Sequence, residues 1–335
     1  MNFFNKKIWS MLILVLLCIL SAACGGNSDA KSDVRAGSYE VTDSIGRTVK
    51  IPHKPQRIVT LTMYADFISL GLVDSSRMAA VSIYLDDPKE STVVEKAKKI
   101  KNKVTAPTIE EIVAWKPDLI IASVWTAPEA IAAYQDMGIP VVICNRASNY
   151  EEIKECVKII STAVGEQEKG RQMIDAMENK MGELQAKVAN ISADKRKSVL
   201  LLSVMTDFGG VGSFFDDMCK FAGVKNSLAE IGLQTGQPLT KELIVKSNPD
   251  VIFLPNYDDH GAYDTQKFID SYLHDPALQS VNAIKNRAVY TPRDYYIYNC
   301  SQDFVYGVQE ICYYAYGEEF KLPDGMNISF SDEKF

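Results

Sequence analysis

One short segment occurs twice in this chain, and this repeat constrains the fold more than any other feature of the sequence. The first copy covers residues 108–123 (TIEEIVAWKPDLIIAS) and the second covers residues 240–255 (TKELIVKSNPDVIFLP). Each copy has a helix-capping Thr, apolar residues at helical spacing, a Pro-Asp pair that ends the helix, and an apolar run typical of a buried strand. A helix followed by a buried strand is half of an α/β unit, so the repeat predicts two similar α/β lobes.

The rest of the chain extends both copies into lobes with mainly parallel sheets. Residues 149–193 between them carry no strand signal, and the second half of this segment has the single apolar stripe of one long helix, which we predict at residues 166–190. We predict an α/β fold with two Rossmann-like lobes, residues 38–148 and 194–335, joined by a single long α-helix within residues 149–193. The ligand cleft is expected between the lobes, outside the carboxyl ends of the strands. The tail from Pro323 is expected to be loose.

The first 37 residues are predicted to direct export rather than to fold. Lys6 and Lys7 precede an apolar run of 13 residues, which as a helix is roughly 20 Å long and too short for a ~30 Å bilayer core. Small residues then lead to Cys24, as in a bacterial lipoprotein signal. We expect a signal peptide at residues 1–23, a lipid on Cys24 and a flexible tether at 24–37, which would hold the protein on the outer face of the cell membrane or in the periplasm. The alternative is an ordinary cleaved signal with an incidental Cys.

Composition and missing motifs narrow the function further. The net charge of −7 without a basic stripe argues against nucleic acid as a partner. Five cysteines follow the export segment, none in a C-x-x-C pair, and buried thiols are expected. The chain has no G-x-S-x-G or H-E-x-x-H motif, so catalysis is not expected and an exported hydrolase is the weaker alternative. Three histidines supply a zinc or manganese site poorly.

Several stretches together resemble one family. They are residues 43–61 (DSIGRTVKIPHKPQRIVTL), the two repeat copies, residues 211–230 (VGSFFDDMCKFAGVKNSLAE) and residues 287–294 (RAVYTPRD). With the export signal, they resemble the solute-binding proteins of ABC importers for iron-siderophores, haem and cobalamin. The resemblance implies a monomer that traps a metal chelate as cargo, needs no cofactor, and delivers the cargo to a permease dimer with a cytoplasmic ATPase. An exported zinc- or manganese-binding protein, or a ligand sensor, remains the alternative.

Glu110 and Glu242 stand at equivalent places in the two repeat copies. A Glu in the first turn of a helix favours the helix dipole by under ~1 kcal/mol, which is the plain explanation. Glu111, however, already holds the capping-box position of the first copy, so Glu110 is not needed there. In the resembled family, acidic residues at these positions pair with arginines of the permease. We therefore expect Glu110 and Glu242 to dock the protein onto the permease.

Candidate ligand contacts lie in the loops that follow the predicted strands. Aromatic faces suit a large planar or amphipathic chelate, although ordinary packing is the alternative for each ring. Arg146 and Arg293 are candidates for carboxylate or phosphate groups of the ligand, with a surface ion pair as the alternative. The resemblance implies that Met63 and His260 could clamp a haem iron; no metal site is otherwise predicted. The other candidates are Tyr64, Tyr84, Trp125, Phe208, Tyr257, Tyr295 and Tyr296.

Overall fold

The computed structural model describes residues 37–256 and 263–333. The first half of this part contains seven strands and six helices. They are β1 (Tyr39–Thr42), β2 (Thr48–Ile51), β3 (Ile58–Thr60), α1 (Met63–Leu72), β4 (Met78–Ser82), α2 (Val94–Ala97), β5 (Asn102–Val104), α3 (Ile109–Ala114), β6 (Leu119–Ala122), α4 (Pro128–Asp136), β7 (Val141–Ile143), α5 (Tyr150–Ala163) and α6 (Gln167–Val188). Short 3-10 helices at Ser75–Arg77 and Ile83–Asp86 flank β4.

The second half of the described chain repeats the alternation of strands and helices. It consists of β8 (Ser198–Leu201), α7 (Phe214–Ala222), β9 (Lys225–Asn226), α8 (Ser227–Glu230), α9 (Lys241–Ser247), β10 (Val251–Phe253), α10 (Thr265–Leu273), α11 (Asn282–Lys285), β11 (Val289–Tyr290), α12 (Asp294–Ile297) and α13 (Phe304–Tyr316). Further 3-10 helices lie at Ala193–Lys195, Thr206–Phe208, Pro276–Leu278 and Glu318–Phe320. Within the described ranges, no helix has the length and apolar character needed to cross a bilayer.

Two separate parallel sheets form the centres of the two lobes. The first has the strand order β5-β4-β3-β6-β7 and the second the order β11-β10-β8-β9, with every described pairing in them parallel. Strands β1 and β2 form the predicted antiparallel hairpin. Each Pro-Asp segment precedes a strand of a different sheet, β6 or β10. The predicted fold of two α/β lobes is therefore confirmed.

The two repeat copies form the same local structure. Lys116 and Asn248, which precede the two prolines, both have a positive φ, at 52° and 41°. This left-handed residue ends helix α3 or α9 and turns the chain into the Pro-Asp pair. The Asp118 carboxylate then accepts the backbone N–H of Arg57 at 2.8 Å, and Asp250 accepts that of Ser198 at 2.9 Å. The repeated Asp therefore ties each repeat to the start of the neighbouring strand, β3 or β8.

The segment between the lobes contains the predicted long helix, observed as α6, and also a shorter helix, α5, before it. Helix α5 packs on the first lobe, where the Tyr39 hydroxyl donates to the carbonyl oxygen of Ala163 at 2.9 Å. Gly165, with φ at 72°, turns the chain back, and α6 then runs for 22 residues. The predicted apolar stripe is present on α6, because its members Met177, Met181, Leu184 and Val188 are buried. Within residues 149–193, α6 is therefore the helix that runs from the first lobe to the second.

The C-terminal tail is ordered, and the expectation of a loose tail from Pro323 was wrong. The Phe330 N–H donates to the Gly71 carbonyl at 2.7 Å, so the tail lies against α1 of the first lobe. Lys96, only 1% exposed, donates to the Leu70 carbonyl and to Ser331 of the tail. Burial lowers the pKa of this ammonium, with nearby carboxylates opposing the effect. The tail thus runs from the second lobe back to the first.

Candidate functional site

The loops that follow β7 and β8 meet between the two lobes. Arg146 lies three residues beyond the end of β7 in the first lobe, and Asp207 lies in the 3-10 helix that follows β8 in the second lobe. Their side chains form an ion pair, with Arg146 Nη2 at 2.5 Å from Asp207 Oδ2. This contact places the carboxyl ends of the two sheets opposite each other, where an open α/β fold binds ligands.

Two aromatic rings flank the Arg146 guanidinium, one from each lobe. Its central carbon lies 5.4 Å from the centroid of the Trp125 ring and 5.0 Å from that of Phe208. Both distances are within the range of cation–π attraction, on the order of 0.5–1 kcal/mol at exposed sites. Trp125 is 67% exposed, whereas Phe208 is only 4% exposed. We call this ion pair and the two rings the cleft cluster, which consists of Trp125, Arg146, Asp207 and Phe208.

On the second-lobe side of the cleft cluster, Phe208 packs against further aromatic rings. The Phe208 ring packs edge-on against Tyr298 at 4.9 Å and against Phe214 at 6.4 Å. Cys300 lies nearby and is buried; burial raises its pKa to about 12, and the charge of Arg146 opposes that rise. The thiol is therefore neutral at physiological pH, and the charges of the cluster are those of Arg146 and Asp207.

Three first-lobe candidates surround the start of α1 and the end of β4. Tyr64 is 7% exposed, and its hydroxyl donates to the Cys144 carbonyl at 2.7 Å, so this side chain belongs mainly to the core. Burial raises its pKa above the usual range for a phenol. Met63 is half-buried at the first position of α1. Tyr84 is also half-buried, in the 3-10 helix after β4. Met63 and Tyr84 thus keep part of their surface accessible.

Arg293, Tyr295 and Tyr296 are engaged inside the second lobe. The Arg293 guanidinium binds both carboxylate oxygens of Glu310 and reaches Asp324 at 2.8 Å. Burial lowers the pKa of Arg293, but the ion pair with Glu310 outweighs it and the net shift is upward. Tyr296 is fully buried with its ring 4.6 Å from that of half-buried Tyr295. The contacts of Arg293 resemble a structural ion pair more than a ligand contact.

The remaining candidates differ in what can be said of them. Tyr257, His260 and Cys24 lie outside the described residues, so haem ligation and lipidation stay predictions. In the described part of the chain, no three His, Cys, Asp or Glu side chains come together as a metal site. The five cysteines of that part are unpaired and buried.

Glu110 and Glu242 occupy equivalent places at the exposed starts of α3 and α9. Thr108 caps α3 in a capping box with Glu111, whose carboxylate accepts the Thr108 N–H at 2.8 Å. Thr240 caps α9, and the pKa of Glu242 is lowered by hydrogen bonds from its own backbone N–H and from Thr240. Helices α3 and α9 each lead into the amino end of a strand and run antiparallel to it, so the start of each helix lies at the carboxyl-end side of its sheet. Both carboxylates therefore lie on that side.

The sequence predicted Arg146 and Phe208 as ligand contacts but did not predict the pairing of Arg146 with Asp207. The two residues are 61 positions apart and belong to different lobes. One signal pointed to Asp207, since it stands in the loop that follows the first strand of the second lobe. Which cation an acidic loop residue meets depends on how the lobes face each other, and local patterns do not encode that.

Two parallel α/β sheets with facing carboxyl-end loops, connected by one helix, define a two-lobed binding fold. The sequence profile of the periplasmic binding protein family matches residues 58–296. The chain belongs to this family, which consists of solute-binding proteins, and the resemblance seen in the sequence is confirmed.

Known proteins similar to the chain agree with this assignment. The chain is 28% identical to the uncharacterized ABC transporter substrate-binding lipoprotein YvrC of Bacillus subtilis, over 94% of this chain and 98% of that protein. It is 21% identical to the Fe(3+)-citrate-binding protein YfmC of the same organism, over 85% and 89% of the two chains. The periplasmic heme-binding protein RhuT from Roseiflexus sp. RS-1 has a similar fold, with a TM-score of 0.66, 21% identity, and coverage of 78% of this chain and 98% of that chain.

Proposed function

We propose that this protein is the solute-binding component of an ABC importer and that it captures an iron chelate, with a siderophore or haem as the first candidates and cobalamin as the next. The observation that carries the proposal is the cleft cluster, in which loops from both lobes bring aromatic and charged side chains together. Such a mixture of ring surface and a few polar groups is typical of small-molecule sites. The protein would bind its cargo without chemical change.

The names of similar proteins support the iron chelate. One relative binds ferric citrate and one structural neighbour binds haem. The chain offers an exposed indole, an arginine and half-buried Met63 and Tyr84 near the cleft. Aromatic and thioether surface suits the organic shell of a chelate, and the arginine suits its acidic groups.

We also propose that the protein is exported and held at the membrane by a lipid on Cys24. The lipoprotein pattern of the first 24 residues supports this, as does the similarity to a substrate-binding lipoprotein. Metabolic labelling with a radioactive fatty acid tests the anchor. The wild type should incorporate label and a Cys24→Ala variant should not, whereas label in the variant would place the lipid elsewhere.

The cargo is identified by titrating the purified mature protein with haem, ferric citrate, a ferric trihydroxamate and cobalamin. Trp125 should report binding, because an iron chelate or corrinoid beside the indole quenches its fluorescence. Trp115, at the end of α3, provides the matched control. Trp115→Phe should keep the quenching and Trp125→Phe should lose most of it. Saturable binding of none of these compounds would contradict the proposed function.

Docking to the permease is proposed to use Glu110 and Glu242, the two exposed carboxylates at equivalent places. A Glu110→Ala, Glu242→Ala double variant should bind cargo normally and lose most of its uptake in cells. The change Glu129→Ala, at another exposed first-turn carboxylate, on α4, is the matched control and should leave uptake intact. Full uptake by the double variant at normal protein level would remove this role.

A further inference from the structure

The Arg146–Asp207 ion pair is placed where a cargo would bind. It joins the two lobes directly, and it lies beside Trp125, whose indole is 67% exposed. A tryptophan with that much exposed surface is uncommon in a folded protein and marks a surface that contacts another molecule. The ion pair and the indole therefore belong to the same binding surface.

Arg146 retains hydrogen-bonding capacity in this arrangement. A guanidinium has five N–H donors in a planar fork. Among the described residues, the Asp207 carboxylate is the one hydrogen-bond acceptor found for the side chain of Arg146, and it is bound through Nη2. Arginine binds carboxylates in a bidentate fashion when the acceptor can approach the fork edge-on. An acceptor with a free carboxylate could therefore bind Arg146 with two hydrogen bonds.

The ion pair is also accessible enough to exchange. The Arg146 and Asp207 side chains are 26% and 45% exposed. Solvent screening makes a pair of such exposure weak, so another anion can compete for the guanidinium. Arg293 provides a contrast, because its side chain binds Glu310, which is 1% exposed, and also reaches two backbone carbonyls. Of the two arginines predicted to bind ligand, Arg146 is the one whose hydrogen-bond acceptor, among the described residues, is a single and partly exposed carboxylate.

We infer that the cargo is an anionic chelate, and that one of its carboxylate or other acidic oxygen groups replaces Asp207 on Arg146. In this scheme Asp207 is an internal competitor that pairs with Arg146 when no anionic cargo is bound. Trp125 would cover a face of the bound chelate. The inference rests on the proposed function and adds the charge of the cargo and the residue that selects it.

The test measures, by fluorescence titration, the affinities for two ferric chelates that differ in charge. Ferric citrate is the anionic chelate, and a neutral ferric trihydroxamate is the control. Arg146→Gln should weaken ferric citrate binding about tenfold to a hundredfold, the range expected for hydrogen bonds to a charged group. Asp207→Asn should strengthen it by up to about fivefold, because it removes the competing charge. Both variants should change the affinity for the neutral chelate much less than the affinity for ferric citrate.

Matched controls are provided by Arg171 and Glu168, an exposed ion pair on α6. Arg171→Gln and Glu168→Gln change the net charge of the protein by the same amounts and should leave both affinities unchanged. The opposite signs of the two cleft variants distinguish exchange from a structural role, because a pair that only holds the lobes together would give both variants the same effect.

Each other outcome has a definite meaning. Asp207→Asn that weakens ferric citrate binding, or Arg146→Gln that affects both chelates equally, would overturn the inference and leave the proposed function standing. A wild type that binds only the neutral chelate, or only cobalamin, would also overturn the inference and leave the proposed function standing. A wild type that binds none of these compounds would overturn the proposed function, and the inference with it.

Discussion

Asp66 is a buried acid in the first turn of α1, the helix that begins with Met63 and Tyr64. Its side chain is fully buried at the start of α1. One carboxylate oxygen accepts the Ser82 N–H at 3.0 Å, and the other is hydrogen-bonded to the Thr60 hydroxyl. Burial raises its pKa to about 8, and the two hydrogen bonds oppose the rise. The folded protein therefore holds Asp66 in the protonated form at neutral pH.

This pKa makes the stability of the protein depend on pH in a defined direction. In the unfolded chain Asp66 loses its proton near pH 4, whereas the folded protein keeps it up to about pH 8. Unfolding between these values releases a proton, so the free energy of unfolding should fall as the pH rises from about 4 to 8. Asp66→Asn preserves the shape and removes the titration. Urea unfolding at several pH values should give a flatter profile for the variant, and equal slopes would contradict the assignment.

At the residue scale, the sequence predicted which loops carry candidate contacts better than it predicted which side chains reach the cleft. Trp125 and Arg146 lie in the loops after β6 and β7 and are partly or largely exposed. Tyr296, from the same kind of loop pattern, is fully buried. Local patterns identify a loop, but the direction of each side chain depends on packing that only the assembled lobe defines.

At the element scale, two glycines of α6 have opposite surroundings. A Cβ on Gly170 would clash with the side chain of Ser161 in α5, whereas a Cβ on Gly182 would meet open space. Gly170 is therefore required for the close approach of α5 and α6. Gly182 has no such role and carries only the entropic cost of glycine in a helix.

The two Gly→Ala variants should therefore change stability in opposite directions. Gly182→Ala should raise the free energy of unfolding by roughly 0.5–1 kcal/mol through helix propensity. Gly170→Ala should lower it by about 1–3 kcal/mol through overpacking. Urea or thermal unfolding measures both. Equal stabilisation by the two variants would mean that α5 and α6 are not packed as described.

The elements themselves were largely predictable, because the repeat combines a capping Thr, a helical period and a Pro-Asp stop in sixteen residues. The long helix was predicted at residues 166–190 and is observed as α6, whereas the separate helix α5 before it was not predicted. Gly165, which has a positive φ, turns the chain between the two helices. An isolated glycine is also compatible with a continuous helix, so the sequence alone did not predict α5.

At the scale of the whole molecule, the C-terminal tail ties the second lobe to the first. The tail is hydrogen-bonded to Gly71 and Lys96 of the first lobe. Glu333 of the tail also accepts the Ser75 N–H at 2.8 Å, and buried Ile328 donates its N–H to Asp303 at 2.8 Å. The lobes are therefore joined by α6 and by the tail. Two connections should restrict the opening of the cleft more than α6 would alone.

Deletion of residues 324–335 should therefore loosen the arrangement of the lobes. The truncated protein should show a larger radius of gyration in small-angle scattering and a weaker affinity for cargo. The wild type should contract little when cargo is added. If truncation left both the radius of gyration and the affinity unchanged, the tail would have no part in holding the lobes.

A point variant tests the same connection without shortening the chain. Lys96→Met removes the hydrogen bonds to Leu70, Ser329 and Ser331 and leaves the buried Leu70 carbonyl without this donor, so the free energy of unfolding should fall by about 1–3 kcal/mol. Lys98→Met, at an exposed lysine two residues further along the chain, should change it by less than about 0.5 kcal/mol. Similar values for the two variants in urea unfolding would contradict the described environment of Lys96.

The return of the chain end to the first lobe also has a practical consequence. Residues 189–197 form a mostly exposed connection between α6 and β8, and a protease site introduced there would separate the polypeptide into two fragments. The second fragment would still carry the C-terminal tail, which is hydrogen-bonded to the first fragment. The nicked protein should therefore migrate as one particle. Such a split would provide a two-piece reporter in which reassembly of the fragments regenerates the binding cleft.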